Sequence, residues 1–464
     1  MRVRTIFTLA LASACAPVTP SAAPSPSPAL AITGVTVIDL GNVPRAQGMT
    51  VLVEGGRIRQ VGPSGSVAVP GGASVVDGRG RYLIAGLWDS HVHLSFAGPE
   101  ILPLFVVNGV TSVRDVGSRL DSTRAMRSRV SAGDLVGPRI LASGPILEGE
   151  AWMKAAYQIA PPGYPIWAGG PRIIASRDNA QAVVDSLVRA GIDLIKARNV
   201  WGADFLAVAA ATERAGIPFA SHNPNRGNMA DAARAGLDSF EHAESVWGDF
   251  DTLSVPARQR MFEEVARTGA FVVPTLMADI GLVVSTDAEI EAVLSDSLGA
   301  IDPRNRSLPA STRRYWRLAM ESRRKYGEHP AGTFEKITRD VRAMREAGIP
   351  MLAGTDIGAI PRVFPGSSLH EELELLVRVG GFTPLEALRA ATRNPPRFFR
   401  SRTDESQDPL AVGAVADLVL LDADPLADIA NVRRISAVIL KGRLLDRAAL
   451  DALVAEAERV ASRR

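Results

Sequence analysis

Ile84-Ala85-Gly86-Leu87-Trp88-Asp89-Ser90-His91-Val92-His93-Leu94 is an apolar run that ends in two histidines one residue apart. Read as a buried strand, it sets His91 and His93 on the same side of the backbone, because strand side chains alternate with a period of two. Two imidazoles then converge at one strand end, a donor set suited to zinc, iron, nickel or copper rather than magnesium or calcium. A His-x-His alone is a weak metal signal. The reading therefore depends on what the rest of the chain brings beside it.

Outward from that stretch, strands and helices alternate, the mark of a parallel α/β fold. Further strands are predicted over 110–115, 139–143, 192–196, 219–222, 239–242, 271–275 and 350–356. Several follow an Ala-Gly or Asn-Gly pair of the kind that ends a helix. With the opening strand they make eight, which predicts a (β/α)8 TIM barrel over residues 84–410. The interval 276–340 is too long for a plain connection; it holds a helical pattern at 311–326 and reads as an elaborated seventh loop that serves as a lid. On either side, 31–83 and 411–446 are β-rich and broken by glycine-rich turns. They predict one small β-sandwich domain formed from both chain ends, with two separate hairpins on the barrel edge as the alternative. A helix is expected over 447–464.

The chain of 464 residues has a net charge of +2. It shows no basic stripe that would argue for nucleic acid, so a small-molecule partner is the better default. Its one cysteine, Cys15, excludes an intramolecular disulfide and a cysteine metal cluster, leaving His, Asp, Glu or a modified Lys as ligands. Arg2 and Arg4, an apolar stretch over 6–12 and small residues up to Cys15 read as an export signal over 1–14. Leu11-Ala12-Ser13-Ala14-Cys15 resembles a bacterial lipoprotein processing site, in which the cysteine is acylated, although Ala12 stands where leucine is usual. Conventional cleavage is the alternative. Residues 15–30, rich in Pro, Ser and Ala, read as a tether. Both routes place the protein outside the cytoplasm, periplasmic or membrane-anchored, with a lipid on Cys15 as the only membrane attachment expected.

Chemistry in such a barrel lies at the C-terminal strand ends. His91 and His93 end the first predicted strand, Lys196 the fourth, His222 the fifth, His242 the sixth and Asp356 the eighth. Four of the six histidines in the chain fall on these ends, a joint pattern that points to a metal centre. Lys196 is the odd member, since an ammonium repels a cation. It is either a salt-bridge partner of Asp356 or a carbamate, its amine condensed with CO2 to give an anionic ligand able to bridge two metals.

His-x-His, Lys, His, His and Asp on strands one, four, five, six and eight resemble the binuclear-metal amidohydrolase superfamily. Supporting stretches are 86–93, Gly109-Val110-Thr111-Ser112-Val113-Arg114-Asp115, Glu241-His242, Ala353-Gly354-Thr355-Asp356 and 413–419. The resemblance implies that His91, His93 and Asp356 hold a buried metal and His222 and His242 a more exposed one, with carboxylated Lys196 bridging two divalent ions, zinc for preference. It also implies cleavage of a C–N amide bond by metal-activated hydroxide, with Asp356 as the catalytic proton shuttle. Segments 138–144 and 369–374 look most like the imidazolonepropionase-like and Xaa-Pro or Xaa-Arg dipeptidase-like branch, which suggests a dipeptide or N-acyl amino acid. The chain departs from that branch at Glu148-Gly149-Glu150-Ala151-Trp152, where Gly-Gly-His is frequent. A cyclic amide, lactone or ester is the alternative substrate, and a non-catalytic metal-stabilised surface binding protein the alternative class. His370 is either a substrate contact or a structural residue near a helix start, and a homo-oligomer is compatible with the sequence.

Overall fold

The structure is a computed structural model that describes residues 29–41, 43–159, 172–224, 228–243, 250–326, 329–399 and 408–463. The expected export signal, Cys15 and most of the tether lie outside the described residues. Its strands are β1 (Leu30–Leu40), β2 (Val43–Glu54), β3 (Arg57–Pro63), β4 (Ser74–Asp77), β5 (Tyr82–Ala85), β6 (Leu87–Val92), β7 (Val110–Asp115), β8 (Arg139–Ala142), β9 (Ile146–Glu148), β10 (Arg172–Ile174), β11 (Ile195–Arg198), β12 (Phe219–Ser221), β13 (Ser239–Glu241), β14 (Phe271–Val273), β15 (Leu418–Leu421), β16 (Ile435–Leu440) and β17 (Arg443–Asp446).

Both chain ends meet in one eight-stranded sheet of order β17-β16-β15-β5-β1-β2-β3, with β4 paired to β1. The junction is β5, which runs parallel to β1 and antiparallel to β15, setting Leu83 opposite Leu420 and Ile84 opposite Val419. Alternation sorts the two faces. Leu83, Ala85, Leu418, Leu420, Ala437 and Ile439 bury into a core of the sheet's own. Ile84, Val419, Leu421 and Val438 turn the other way and join the large α/β core.

That large core belongs to a TIM-barrel-like α/β arrangement with two parallel sheets, β6-β7-β8 and β10-β9-β11-β12-β13-β14. Asp193 N, just before β11, donates to Ala142 O of β8 at 2.9 Å, and Ser90 N of β6 donates to Ala353 O at 2.8 Å. Segment 350–357, expected to hold the eighth strand, makes isolated parallel bridges at Met351 and Ile357 rather than a regular strand. The cause is local. Gly354 packs so closely that a Cβ there would stand 2.8 Å from His91 Cβ, and Asp356 takes a left-handed φ of +57°, which breaks the ladder.

Other differences are of register. The fourth predicted strand starts three residues late, so Lys196 sits inside β11 and Arg198 ends it, and β9 and β10 were not expected. The 276–340 interval is mostly helical, including Asp287–Ser295, Ala310–Tyr326 and Thr333–Glu346, with Trp316 buried against Phe364. The terminal helix runs Arg447–Ser462 behind an Asp446 cap. No helix among the described residues is long and apolar enough to cross a membrane.

Candidate metal centre and its cavity

All six residues of β6 are buried, which carries polar side chains into the interior and makes each need a partner. Asp89 accepts from Thr355 Oγ1 at 2.7 Å and Thr355 N at 3.0 Å, tying β6 to the segment that bears Asp356. Burial pushes the Asp89 carboxyl up to about 7. His91 Nδ1 lies 2.6 Å from Glu241 Oε2 at the end of β13. Glu241 accepts in turn from Ser239 Oγ at 2.7 Å and from Arg114 Nη2 at 2.8 Å. Although burial opposes it, the Arg114 and Lys196 charges hold the Glu241 carboxyl well below its usual range. A carboxylate on Nδ1 makes that nitrogen the donor and leaves the His91 Nε2 lone pair free for a cation.

The Nε2 atoms converge on Asp356: His91 at 3.5 Å, His93 at 3.2 Å and His242 at 3.9 Å. His242 is held through Nδ1 by Thr275 Oγ1 at 2.8 Å, and the His222 and His242 ring centres are 4.7 Å apart. Candidate ligand atoms of His91, His242 and Asp356 lie within 4.8 Å of one another, which defines a candidate His/His/Asp metal site. Burial lowers His91 to about 4, His242 to about 3 and His222 well below its ordinary value. Each shift favours the neutral imidazole, the form that can ligate. His242, Thr275 and Asp356 share left-handed backbone at φ +69°, +52° and +57°, strain of the kind that collects at functional sites.

Two buried atoms within the cluster fit a metal group. His91 Nε2 and Lys196 Nζ have no hydrogen-bond partner, and an unpartnered buried amine is costly to fold around. Burial brings Lys196 down to about 8. The cluster opens into a cavity of about 360 Å³ lined by His93, Lys196, His222, His242 and Asp356. Phe96, Ile146, Leu282, Val283 and Ile360 give it an apolar wall, and Arg198 and His329 also line it. His370 is not brought there: it is buried in the helix Ser367–Arg378 with Nε2 2.9 Å from Asn108 O, the structural alternative of the two expected for it.

Sequence reading missed His329, Arg198 and the supporting roles of Asp89 and Arg114. Period two from Lys196 would have reached Arg198; nothing in the sequence marks His329.

The amidohydrolase family model matches residues 82–445, and the chain belongs to that family. Its matched span takes in β5, β15 and β16 as well as the parallel sheets. Ochratoxinase from Aspergillus niger is 24% identical over 404 residues, covering 75% of this chain and 71% of that protein. The solved structure of bottromycin amidohydrolase is similar over 93% of this chain and 90% of its own, with a TM-score of 0.68 at 24% identity. A Xaa-Pro dipeptidase with bound methionine matches over 90% of this chain and all of its own, with a TM-score of 0.65 at 21% identity. These likenesses extend the fold across nearly the whole chain. Family membership and these hydrolase relatives support an enzyme that hydrolyses C–N bonds.

Proposed function

We propose that the protein is a binuclear metal-dependent hydrolase that cleaves the amide bond of a dipeptide or N-acyl amino acid. The observation that carries this reading is the pair of unpartnered buried nitrogens, His91 Nε2 and Lys196 Nζ, beside His222, His242 and Asp356. In this reading segment 350–357 closes the two parallel sheets into a (β/α)8 barrel, and the eight-stranded sheet forms the sandwich domain.

His91, His93 and Asp356 would hold one ion and His222 and His242 a second, with Lys196 between them as a carbamate. Burial keeps a fraction of the Lys196 amine neutral, the form that adds CO2 and releases a proton. Divalent ions, zinc for this imidazole-rich set, would polarise the scissile carbonyl and acidify water. Asp356 accepts the proton of the attacking water and returns it to the leaving nitrogen. Glu241, braced by Arg114, holds the His91 ring in one tautomer throughout. The apolar wall receives the substrate's side chain and excludes bulk water.

A hydrolysis screen of dipeptides and N-acyl amino acids on zinc-loaded protein tests the assignment. Turnover of at least one set is expected; turnover of lactones or esters alone would overturn the amide assignment. Export is part of the same proposal. Cys15→Ser should move the protein from a membrane fraction to a soluble one, or leave it unprocessed, and unchanged membrane association would sink the lipid anchor.

A further inference from the structure

We propose that Arg198 is the subsite for a free carboxylate on the substrate, a specificity-determining residue that selects acids over their neutral analogues. The inference rests on reading the cavity as an amide-cleaving site. Lys196 and Arg198 stand two apart on β11, and both line the cavity, as alternation requires.

Arg198 is braced from behind. Its Nε donates to Glu148 Oε1 at 2.7 Å, and Nη2 lies 2.6 Å from the same oxygen. Glu148, at the end of β9, is completely buried and accepts from Asn199 Nδ2 at 3.2 Å. The two strand ends touch through backbone: a Cβ on Gly149 would stand 2.3 Å from Asn199 O. A guanidinium has five N–H donors in one plane. Glu148 takes those on one edge, and 30% of the arginine side chain remains exposed.

A buried carboxylate serves this arginine and lowers its net pull on an anion, so the arrangement is not built for long-range attraction. It fixes direction instead. A pre-set planar fork meets a carboxylate with two parallel hydrogen bonds and little loss of side-chain freedom. Apolar Phe96, Ile146 and Leu282 line the same cavity, so the ligand class is a carboxylate next to an apolar side chain. That is the carboxyl-terminal half of a dipeptide or N-acyl amino acid.

The test compares 3-phenylpropanoate with 3-phenylpropan-1-ol, which share an apolar group and contain no amide, by calorimetric binding to the zinc-loaded enzyme. In Arg198→Met the acid should bind at least about tenfold more weakly, about 1.4 kcal/mol, with the alcohol unchanged. Because Arg198→Met strands buried Glu148, the double variant Arg198→Gln/Glu148→Gln is measured beside it and should show the same selective loss. In hydrolysis, N-acyl amino acids should lose kcat/KM mainly through KM, while their carboxyl-terminal amides, poor substrates from the start, should not change. Equal losses for acid and alcohol would reduce Arg198 to a structural brace. Undiminished acid binding in both variants would place the carboxylate on the metal centre. Either result overturns the proposal, and both can be read even if no amide is cleaved.

Discussion

Leu83, Leu418, Leu420 and Ile439 on one face of the eight-stranded sheet are as hidden as His91, Lys196 and Glu241 of the parallel strands: none exceeds 1% exposure. Burial acts on the two groups with opposite sign. Removing the sheet's aliphatic side chains from water stabilises the fold by roughly 25 cal/mol per Å². Hiding an imidazole, an amine and a carboxylate opposes folding unless each finds a partner. Glu241 finds one in Arg114. Lys196 makes no hydrogen bond, and it borders the cavity, where a ligand could supply the missing partner.

The largest expected effect is at Lys196. Lys196→Ala should lose bound metal and fall to background turnover, and short carboxylic acids added to the medium should restore part of both. It should leave the metal-free protein as stable as wild type or more so, because an unsatisfied buried amine is gone. Two ions retained in the alanine variant, by metal analysis, would rule out the bridge. Asp356→Asn comes next. Asparagine keeps an oxygen and tolerates the left-handed backbone, so much of the metal should stay while kcat drops by about 10² to 10⁴ with KM little changed. An asparagine enzyme within a few-fold of wild type would assign the proton to another group.

Leu420→Ala probes the other region. It should cost about 2–5 kcal/mol in denaturant unfolding, with kcat unaltered wherever the variant is folded. A matching fall in kcat would mean that sheet and centre are not separable. The smallest effect belongs to Glu372, which is buried in the helix behind the cavity wall and accepts from Met277 N at 2.7 Å. Burial raises its carboxyl from 4.5 to about 8. Between those values the folded protein keeps a proton that the unfolded chain sheds. Its contribution to stability is full below about pH 4.5 and is lost as pH rises through about 8. Glu372→Gln should remove that slope, so that between about pH 5 and pH 8.5 wild-type Tm falls by about 4 °C more than the variant's.

Alternation made both regions legible in the chain. It grouped His91 with His93 and it grouped the aliphatic residues of the two chain ends, because strand geometry is local. What escaped depends on partners far along the chain. Gly354 and Asp356 leave strand geometry because of close contact with His91. His370 looked chemical on its own helix, and its partner, Asn108 O, is 262 residues away. Arg198 was lost to a shift in where β11 ends, the feature that local pattern fixes least well.

The pairing of β5 with β15 also dictates the order of assembly. Leu83 meets Leu420 only after the intervening chain has been made, so a long loop closes before that contact contributes. Until β15 arrives, β5 presents an open edge next to β1, the kind of edge that recruits other chains. A chain halted before residue 418 would hold most of its chemical residues and still be prone to aggregate. Synthesis of residues 418–446 therefore acts as the latch on everything made before them.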